Sequence, residues 1–274
     1  MKKLLFLAND SSTTKTMLEE HEWLKEHFEL LALNYSAITA IKPEKVVFSD
    51  FEILIDTVDY IWLEYDWDAA NANNNYSHFT GLILDNWPEK LIIYRDVMRR
   101  FYPIYDSKMF NATFLDMVGL PHPRTVLCDV SGALDYSYPL VLKEDISGMA
   151  KGVSLVHNPT ELEKLVSDRK MIVQELKNFE KEFRVLTVNH QVIGSVERTS
   201  KYTDGGNRRL VNIDREHELS DAVIDICERL SRELTADLLG IDIGIDKDGY
   251  PWVIEFNVSP NFKRFCEITG IDVV

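Results

Sequence analysis

The sequence has few cysteines, few basic residues relative to acidic ones, and no long apolar run. Its three cysteines are an odd number without CxxC spacing, which argues against a disulfide framework or a zinc site. Its seven histidines show no HxxxH or HExxH pairing, so no histidine-ligated transition metal is expected. No apolar stretch approaches the roughly 18 residues that a membrane helix needs. The apolar run 4–8 is too short for a signal peptide, so a cytoplasmic protein without a membrane partner is expected.

An excess of acidic residues excludes another class of partner. Lys and Arg total 30 against 45 for Asp and Glu, which gives a formal net charge of −15 over 274 residues. Such a surface repels nucleic acid backbones, so no nucleic acid partner is expected. Basic residues that cluster in this chain are therefore candidates for local anion sites. Length and composition are typical of a globular protein with two or three lobes.

The first hundred residues alternate between strand-like and helix-like patterns. This alternation predicts a small α/β lobe with a largely parallel sheet. The polar, Asn-rich segment 68–81 is interpreted as a loop that could also touch a substrate. The predicted elements are strands at 4–7, 30–33, 45–48, 60–63 and 91–94 and a helix around 17–28.

From Asp106 onward the pattern changes to a helix followed by many strands. Ser107 is a predicted N-cap, and Gly119 is predicted to end the helix that it opens. A capping box is predicted from Thr160 and Glu163. The further predictions are a hairpin of strands 138–142 and 153–156, strands at 171–174, 183–188 and 191–195, a helix at 222–239 ended by Gly240, and a hairpin turning at Asp248 and Gly249.

A glycine-containing loop follows the apolar strand that ends at Lys143. The loop, EDISGMAKGV, contains Gly148 and Gly152, and glycines let backbone N–H groups approach an anion closely. It is not a Walker A motif. A plain hairpin turn is the alternative interpretation.

The segment Gln174-Glu175-Leu176-Lys177 ends the next predicted strand, and Glu182 follows shortly after it. A hinge of this kind can offer backbone donors and acceptors to a flat base, and a nearby carboxylate can bind sugar hydroxyls. A solvated acidic turn is the alternative.

Arginines gather further along the chain. Arg184 and Arg198 lie on successive predicted strands, and Asn207, Arg208 and Arg209 follow a glycine-containing loop. Guanidinium groups bind carboxylates and phosphates in a bidentate manner. Surface ion pairing is the alternative.

Three oxygen-bearing side chains belong to the last predicted hairpin. Glu255 and Asn257 share one strand face, and Asp242 lies near them if the strands pair across the Asp248-Gly249 turn. Two carboxylates without a cation would repel each other. Hard oxygen ligands suit Mg²⁺, so the pattern predicts a magnesium site.

These motifs, in this order, resemble the ATP-grasp superfamily, and within it the RimK-like branch of peptide and amino-acid ligases. The resemblance covers about 106–274, and it ends where a last helix often continues in the family. It implies an ATP-grasp fold, classed as α/β with α+β lobes. The implied parts are a pre-ATP-grasp α/β domain at 1–104 and an ATP-grasp domain at 105–274, with a central lid lobe at about 105–176 and a C-terminal lobe at about 177–274. The stretches that carry it are Ser107-Lys108 with MVGLPHPRT, PLVLKEDISGMAKGV, IVQELKNFEKEFRVLTVNHQVIGSVER and LGIDIGIDKDGYPWVIEFNVSPNF.

The resemblance also implies roles for single residues. The implied nucleotide residues are Lys108 and Lys143 on ATP phosphates, the flexible loop Gly148 to Gly152 over them, Gln174, Glu175 and Leu176 at the adenine hinge, and Glu182 on the ribose. The implied catalytic and metal residues are Arg184 and Arg198 near the transferred phosphate and acceptor carboxylate, and Asp242, Glu255 and Asn257 on Mg²⁺, with Mn²⁺ as an alternative. Asn207 and Arg209 are a looser match to the substrate loop.

The activity implied is an ADP-forming ligase that joins a carboxylate to an amine through an acyl phosphate. The substrate would be an amino acid or a peptide. A RimK-like macrocyclase acting on a precursor peptide is one alternative, and an ATP-binding regulatory module without catalysis is another. A homo-oligomer is left open.

Overall fold

The structure is a computed structural model that describes most of the chain. The described residues are 1–8, 22, 24–34, 37–63, 81–91, 96–97, 100, 107–128, 137–146, 153–166, 170–202, 208–216, 218–258, 260 and 263–271, with the backbone alone described at 199–202, 208–216 and 263. The chain divides into two compact units, Met1–Pro103 and Ile104–Val274. The roles expected of 1–104 and of 105–274, with its two lobes, stay predictions.

The first unit contains a parallel sheet, as predicted. Its central strand β1 (Lys2–Ala8) lies between β2 (Phe28–Asn34) and β6 (Tyr60–Leu63), and Leu4 pairs with Leu30 on one side and Tyr60 on the other. Residues Leu4 to Leu7 are fully buried, the continuous apolar run typical of a parallel strand covered on both faces. The described elements are β1 (Lys2–Ala8), α1 (Leu24–His27), β2 (Phe28–Asn34), β3 (Ile38–Lys42), β4 (Lys45–Phe48), β5 (Glu52–Leu54) and β6 (Tyr60–Leu63), with 3-10 turns at Ile55–Thr57 and Pro88–Lys90 and helical residues at 81–86.

Two predictions in this unit differ from the structure. Strands β3, β4 and β5 form a separate antiparallel sheet, of which only β4 was predicted. The predicted helix 17–28 is described only as α1, and Phe28 already begins β2. Leu91, the first residue of the strand predicted at 91–94, forms a parallel bridge with Ile61, and 92–95 lie outside the described residues. Of the predicted loop, 68–80 also lie outside the described residues.

The second unit is built on two antiparallel sheets. Their strand orders are β7-β10-β8-β9 and β13-β12-β11-β14-β15. The elements are α2 (Lys108–Met117), β7 (Thr125–Leu127), β8 (Leu140–Glu144), β9 (Ser154–Val156), α3 (Pro159–Leu165), β10 (Met171–Glu175), β11 (Phe179–Val188), β12 (Gln191–Tyr202), β13 (Arg208–Glu216), α4 (Asp221–Leu234), β14 (Leu238–Asp246), β15 (Pro251–Asn257) and α5 (Lys263–Thr269).

Several local predictions in this unit are confirmed. Ser107 caps α2, accepting a hydrogen bond from the Phe110 backbone nitrogen. Strands β8 and β9 pair antiparallel. The last hairpin turns at Asp248 and Gly249. Gly249 has a φ of 79°, a backbone conformation that residues with a side chain rarely adopt.

Two helix boundaries were predicted wrongly. The capping box of α3 is formed by Asn158 and Glu161, two residues before the predicted pair, because Pro159 fits the first helical position. Helix α4 ends at Leu234 with Thr235 in the left-handed conformation, and Gly240 lies inside β14. The apolar Leu238 and Leu239 continue the periodicity of α4 but begin a buried strand, a choice that periodicity alone does not settle.

Candidate nucleotide and metal site

One cleft brings together residues that the sequence separates. Its volume is about 180 Å³. The predicted nucleotide residues Lys143, Gln174, Glu175, Leu176 and Glu182 all line it. The remaining lining residues are Pro123, Val141, Lys177, Asn178, Phe179 and Ile254.

The strand period of two explains why β8 and β10 present polar groups to this cleft. Leu140 and Leu142 of β8 pack with Val173 of β10 in a hydrophobic cluster that also includes Leu162 of α3. The alternate residues of β8 and β10 therefore point to the opposite face, where Lys143 and Gln174 reach the cleft.

Lys143 is held by a hydrogen-bonded chain. The side chain is 4% exposed, and its Nζ donates to Gln174 Oε1 at 2.6 Å. Gln174 Nε2 donates in turn to Thr125 Oγ1 at 2.9 Å, and Thr125 Oγ1 donates to the Pro123 carbonyl. This chain fixes the orientation of the Gln174 amide and directs the ammonium group of Lys143.

A small neighbouring cavity connects this region to Lys108 and Glu255. It has a volume of about 10 Å³, and Lys143 and Gln174 line it as they line the cleft. Lys108 from α2 and Glu255 from β15 line it as well. Both predicted phosphate lysines and one predicted metal ligand therefore share one wall.

A buried carboxylate that the sequence reasoning missed holds the start of α2. Asp145 is 5% exposed, and its Oδ1 accepts from Ser107 Oγ at 2.8 Å and from the Met109 backbone nitrogen at 2.9 Å. Its carbonyl accepts from the backbone nitrogen of Lys108. Since Asp145 follows Lys143 by two residues, it ties the strand of one lysine to the helix of the other. No sequence pattern distinguishes this residue from the solvated acids nearby.

One face of the five-stranded sheet, here called the polar face, carries both predicted arginines, the three predicted metal ligands and Glu182. Arg184 on β11 pairs directly with Asp242 on β14, which pairs with Glu255 on β15. Glu182 pairs with Arg198 on β12. Helix α4 contacts β11, β12 and β14, as expected for an amphipathic helix whose apolar stripe covers the other face. The residues of the polar face are Glu182, Arg184, Arg198, Asp242, Glu255 and Asn257.

Asp242 is the centre of an ion pair with both arginines. Arg184 Nε donates to Asp242 Oδ1 at 2.5 Å and Arg184 Nη2 to Oδ2 at 3.0 Å, while Arg198 Nη1 donates to Oδ2 at 2.6 Å. Asp242 is 8% exposed. Burial alone would raise the pKa of Asp242, but attraction to Arg184 and Arg198 and their hydrogen bonds hold the pKa well below its usual range. Burial likewise opposes the charge of Arg184 and is the largest single influence on it, but attraction to Asp242, the hydrogen bonds to Asp242 and attraction to Glu255 together raise the arginine pKa.

The donors on the polar face fit a hard divalent cation. Glu255 lies opposite Asp242, and Asn257 shares its strand face, so two carboxylates and an amide lie on one face of neighbouring strands. The arginines use three of the roughly four acceptor positions of the Asp242 carboxylate, which leaves one on Oδ1. Within the part of the chain that the structure describes, no group of three His, Cys, Asp or Glu residues could hold a metal.

Arg198 keeps a donor for an additional ligand. Its Nε is buried and has no hydrogen-bond partner among the described residues. Buried donors of this kind are normally satisfied. An anionic oxygen placed beside Asp242 and Arg184 would satisfy it.

Other predicted residues are placed only in part or not at all. Gly148, Gly152 and Asn207 lie outside the described residues. The backbone of Arg209 belongs to β13 and pairs with Lys201, and its side chain lies outside the description.

Known proteins resemble this chain in sequence and in fold. The family model described as the RimK-like ATP-grasp domain matches residues 119–274. A D-alanine–D-alanine ligase of Synechococcus sp. (strain JA-3-3Ab) is 28% identical over 182 residues, which cover 56% of this chain and 54% of that protein. The chain therefore spans about half the length of that relative. No helix among the described residues is both long and apolar enough to span a membrane.

Two solved structures share the fold along nearly the whole chain. The ATP-grasp ligase PsnB in complex with a minimal precursor has a TM-score of 0.70 at 18% identity, covering 100% of this chain and 95% of PsnB. The macrocyclase MdnC of Microcystis aeruginosa MRC, bound to the precursor peptide MdnA, has a TM-score of 0.66 at 13% identity, covering 94% and 92%. The expectation of an ATP-grasp fold is confirmed.

Proposed function

Since this chain belongs to the RimK-like ATP-grasp family, we propose that it is an ATP-dependent ligase that joins a carboxylate to an amine and forms ADP. The observation that carries the proposal is the shared wall of the cleft and the small cavity. Lys143 and Gln174 line both, and they connect the hinge side chains to Lys108 and Glu255.

The proposed reaction has two steps. A carboxylate oxygen of the first substrate attacks the γ-phosphorus of ATP, and the bond to the leaving ADP oxygen breaks. The amine nitrogen of the second substrate then attacks the acyl carbon of the acyl phosphate. The new C–N bond forms as the C–O bond to phosphate breaks, and the nitrogen loses a proton to solvent.

Phosphoryl transfer requires mainly positioning and charge neutralisation, which the described side chains can supply. Lys108 and Lys143 would bind phosphate oxygens, and Glu182, which also lines the cleft, would accept from the ribose hydroxyls. Arg184 and Arg198 are held rigidly by Asp242, so they would orient the transferred phosphoryl group and the acceptor carboxylate. Gly148, Gly152, Asn207 and Arg209 keep their proposed roles in covering phosphate and binding substrate.

A divalent cation is part of the proposal. Asp242, Glu255 and Asn257 would hold Mg²⁺, and bound Mg²⁺ would neutralise phosphate charge. Mn²⁺ as a substitute stays a prediction.

The test is ADP release by the purified chain with ATP, Mg²⁺ and pools of amino acids and peptides. We expect turnover in the wild-type protein and its loss in Glu255→Gln, which keeps the side-chain shape but removes the charge. The matched control is Glu163→Gln, at an exposed position on α3, which should retain activity. ATP binding without ADP release in any pool would support a regulatory module instead, and full activity of Glu255→Gln would refute the metal assignment.

A second candidate is a macrocyclase that joins side chains within a precursor peptide. The observation that favours it is that PsnB and MdnC, whose folds match 100% and 94% of this chain, are bound to a minimal precursor and to a precursor peptide. Mass spectrometry of a small acidic precursor peptide separates the candidates. Loss of one water per bond within the peptide supports cyclisation, and a mass gain equal to an added residue supports the ligase.

A further inference from the structure

Residues 176–178, here called the hinge, form one wall of the cleft. They lie between the four-stranded and the five-stranded sheet, outside regular secondary structure. Residues 176–178 connect β10 to β11 without belonging to a helix or strand. Leu176, Lys177 and Asn178 nevertheless line the cleft, together with the flanking Glu175 and Phe179. Since no sheet ladder holds these three residues, side-chain contacts decide how rigid the wall is.

Lys177 makes contacts on both sides of the hinge. Its Nζ lies 2.7 Å from Glu175 Oε1 and 4.2 Å from the centroid of the Trp252 ring. Glu175 ends β10 in the four-stranded sheet, and Trp252 belongs to β15 in the five-stranded sheet. The ammonium group therefore links the two sheets across the hinge.

The Trp252 ring, over which the Lys177 ammonium group lies, is itself held in place. Trp252 Nε1 donates to Asp246 Oδ2 at 2.9 Å. Asp246 Oδ1 accepts from the backbone nitrogens of Asp248 and Tyr250. Trp252 is thus anchored to the β14–β15 turn, and a cation over its face is held by a rigid partner.

We propose that Lys177 is a positioning residue for the base-binding end of the cleft. The inference rests on the proposed function and deepens it. Lys177 neutralises the charge of the Glu175 carboxylate and holds the hinge in contact with Trp252. The wall of the cleft then presents its backbone groups to the nucleotide base in a single arrangement. Pre-organisation of this kind strengthens binding because less conformational freedom is lost when the ligand arrives.

The expected signature is weaker nucleotide binding with an unchanged chemical step. In Lys177→Met the Glu175 carboxylate, 41% exposed, would remain at the wall without its ammonium partner, and the hinge would gain freedom. The contacts of Lys177 are to Glu175 and Trp252, not to the arginines, so kcat should be retained while KM for ATP rises. Lys177→Arg keeps the cation and should restore affinity.

The experiment titrates ADP with Mg²⁺ into each purified variant by calorimetry and measures kcat and KM for ATP. Lys177→Met should raise Kd and KM about three- to tenfold, given the strength of partly exposed cation–π and ion-pair contacts. Lys177→Arg should stay within about twofold of wild type. The matched control, Lys247→Met, removes a lysine that is exposed on the nearby β14–β15 turn and should leave both constants unchanged.

Each result decides the question. The positioning role is overturned if Lys177→Met binds ADP with wild-type affinity. It is overturned equally if the variant has a lower unfolding midpoint but an unchanged affinity for ADP. If Lys177→Met does not fold, Trp252→Leu removes the same contact from the ring side, and wild-type affinity in that variant overturns the proposal equally. Failure of the wild-type chain to bind ADP overturns the proposed function and this inference with it, whereas binding by wild type and Lys177→Met alike overturns the inference alone.

Discussion

At the scale of single residues, Asp242 has two tasks on the polar face. It accepts three hydrogen bonds from Arg184 and Arg198, and it remains close to Glu255 as a candidate metal ligand. A carboxylate buried beside Glu255 would be unfavourable by itself. The ion pairs with Arg184 and Arg198 compensate its charge.

The first prediction concerns the charge of Asp242. Asp242→Asn leaves two arginines partly buried without their carboxylate and should lower the free energy of unfolding by about 3 kcal/mol at neutral pH. Asp248→Asn, an exposed position on the turn, should change it by less than about 0.5 kcal/mol. Chemical denaturation of both variants measures the difference, and equal losses would contradict the assigned role.

The ion pairs of Asp242 with Arg184 and Arg198 also predict how the free energy of unfolding depends on pH. The pKa of Asp242 is lower in the folded protein than its ordinary value of about 3.9, so its stabilising contribution is fully present above that value. It is lost as the pH falls through the folded pKa. The stability gap between wild type and Asp242→Asn should therefore be constant from pH 7 to about pH 5 and shrink below about pH 4.

At the scale of elements, α2 and β14 position the site through tertiary contacts. Helix α2 is joined to β15 by Asn111, whose Oδ1 accepts from the Phe256 backbone nitrogen at 2.7 Å. Its first turn is held by Asp145 from the end of β8. Strand β14 allows Arg184 to lie across it, because Gly240 has no side chain there.

Asp145 supplies a cap to the first turn of α2, and a substitution can test it. Asp145→Ala removes the acceptor of Ser107 Oγ and of the Met109 N–H and should cost about 1–3 kcal/mol of stability. KM for ATP should rise as well, because Lys108 begins the helix that loses its cap. Asp145→Asn keeps an acceptor oxygen and should lose less. Met117→Ala, at a 78% exposed residue at the end of the same helix, is the control, and an equal effect there would refute a specific role for Asp145.

Gly240 offers a prediction about close packing. A Cβ at this position would lie 2.7 Å from Pro260 Cβ and 3.1 Å from Arg184 Nη1, so Gly240→Ala must displace the arginine or the proline. We expect a loss of about 1–3 kcal/mol and lower kcat. Gly81→Ala meets no atom within 4 Å and lies in helical residues 81–86, so its unfolding midpoint should stay the same or rise slightly.

At the scale of the whole molecule, the proposed function predicts stabilisation by ligand. ATP with Mg²⁺ at about 100 times Kd should add about 2.7 kcal/mol and raise Tm by several degrees. A chelator should remove most of this shift if the cation joins phosphate to the polar face. Glu255→Gln should show a reduced shift with Mg²⁺, and a shift that is indifferent to chelator would contradict the metal site.

The sequence predicted local features whose cause is local. Ser107 as a cap and the Asp248-Gly249 turn follow from short-range hydrogen bonding and backbone conformation, and both are confirmed. The parallel β1 strand follows from its continuous apolar run. The boundary of α4 was wrong because Leu238 and Leu239 suit a helix face and a buried strand equally well, and pairing with β11 decided for the strand.

The sequence by itself determined the family, the fold and a set of candidate residues, because motif order and residue chemistry are properties of the chain. The tertiary structure alone decided which groups meet. Asp242 is joined to two arginines from other strands, Asp145 caps a helix that begins 37 residues before it, and Lys177 bridges two sheets. Those contacts depend on strand register and on the packing of distant segments, and neither is encoded in the spacing of any single motif.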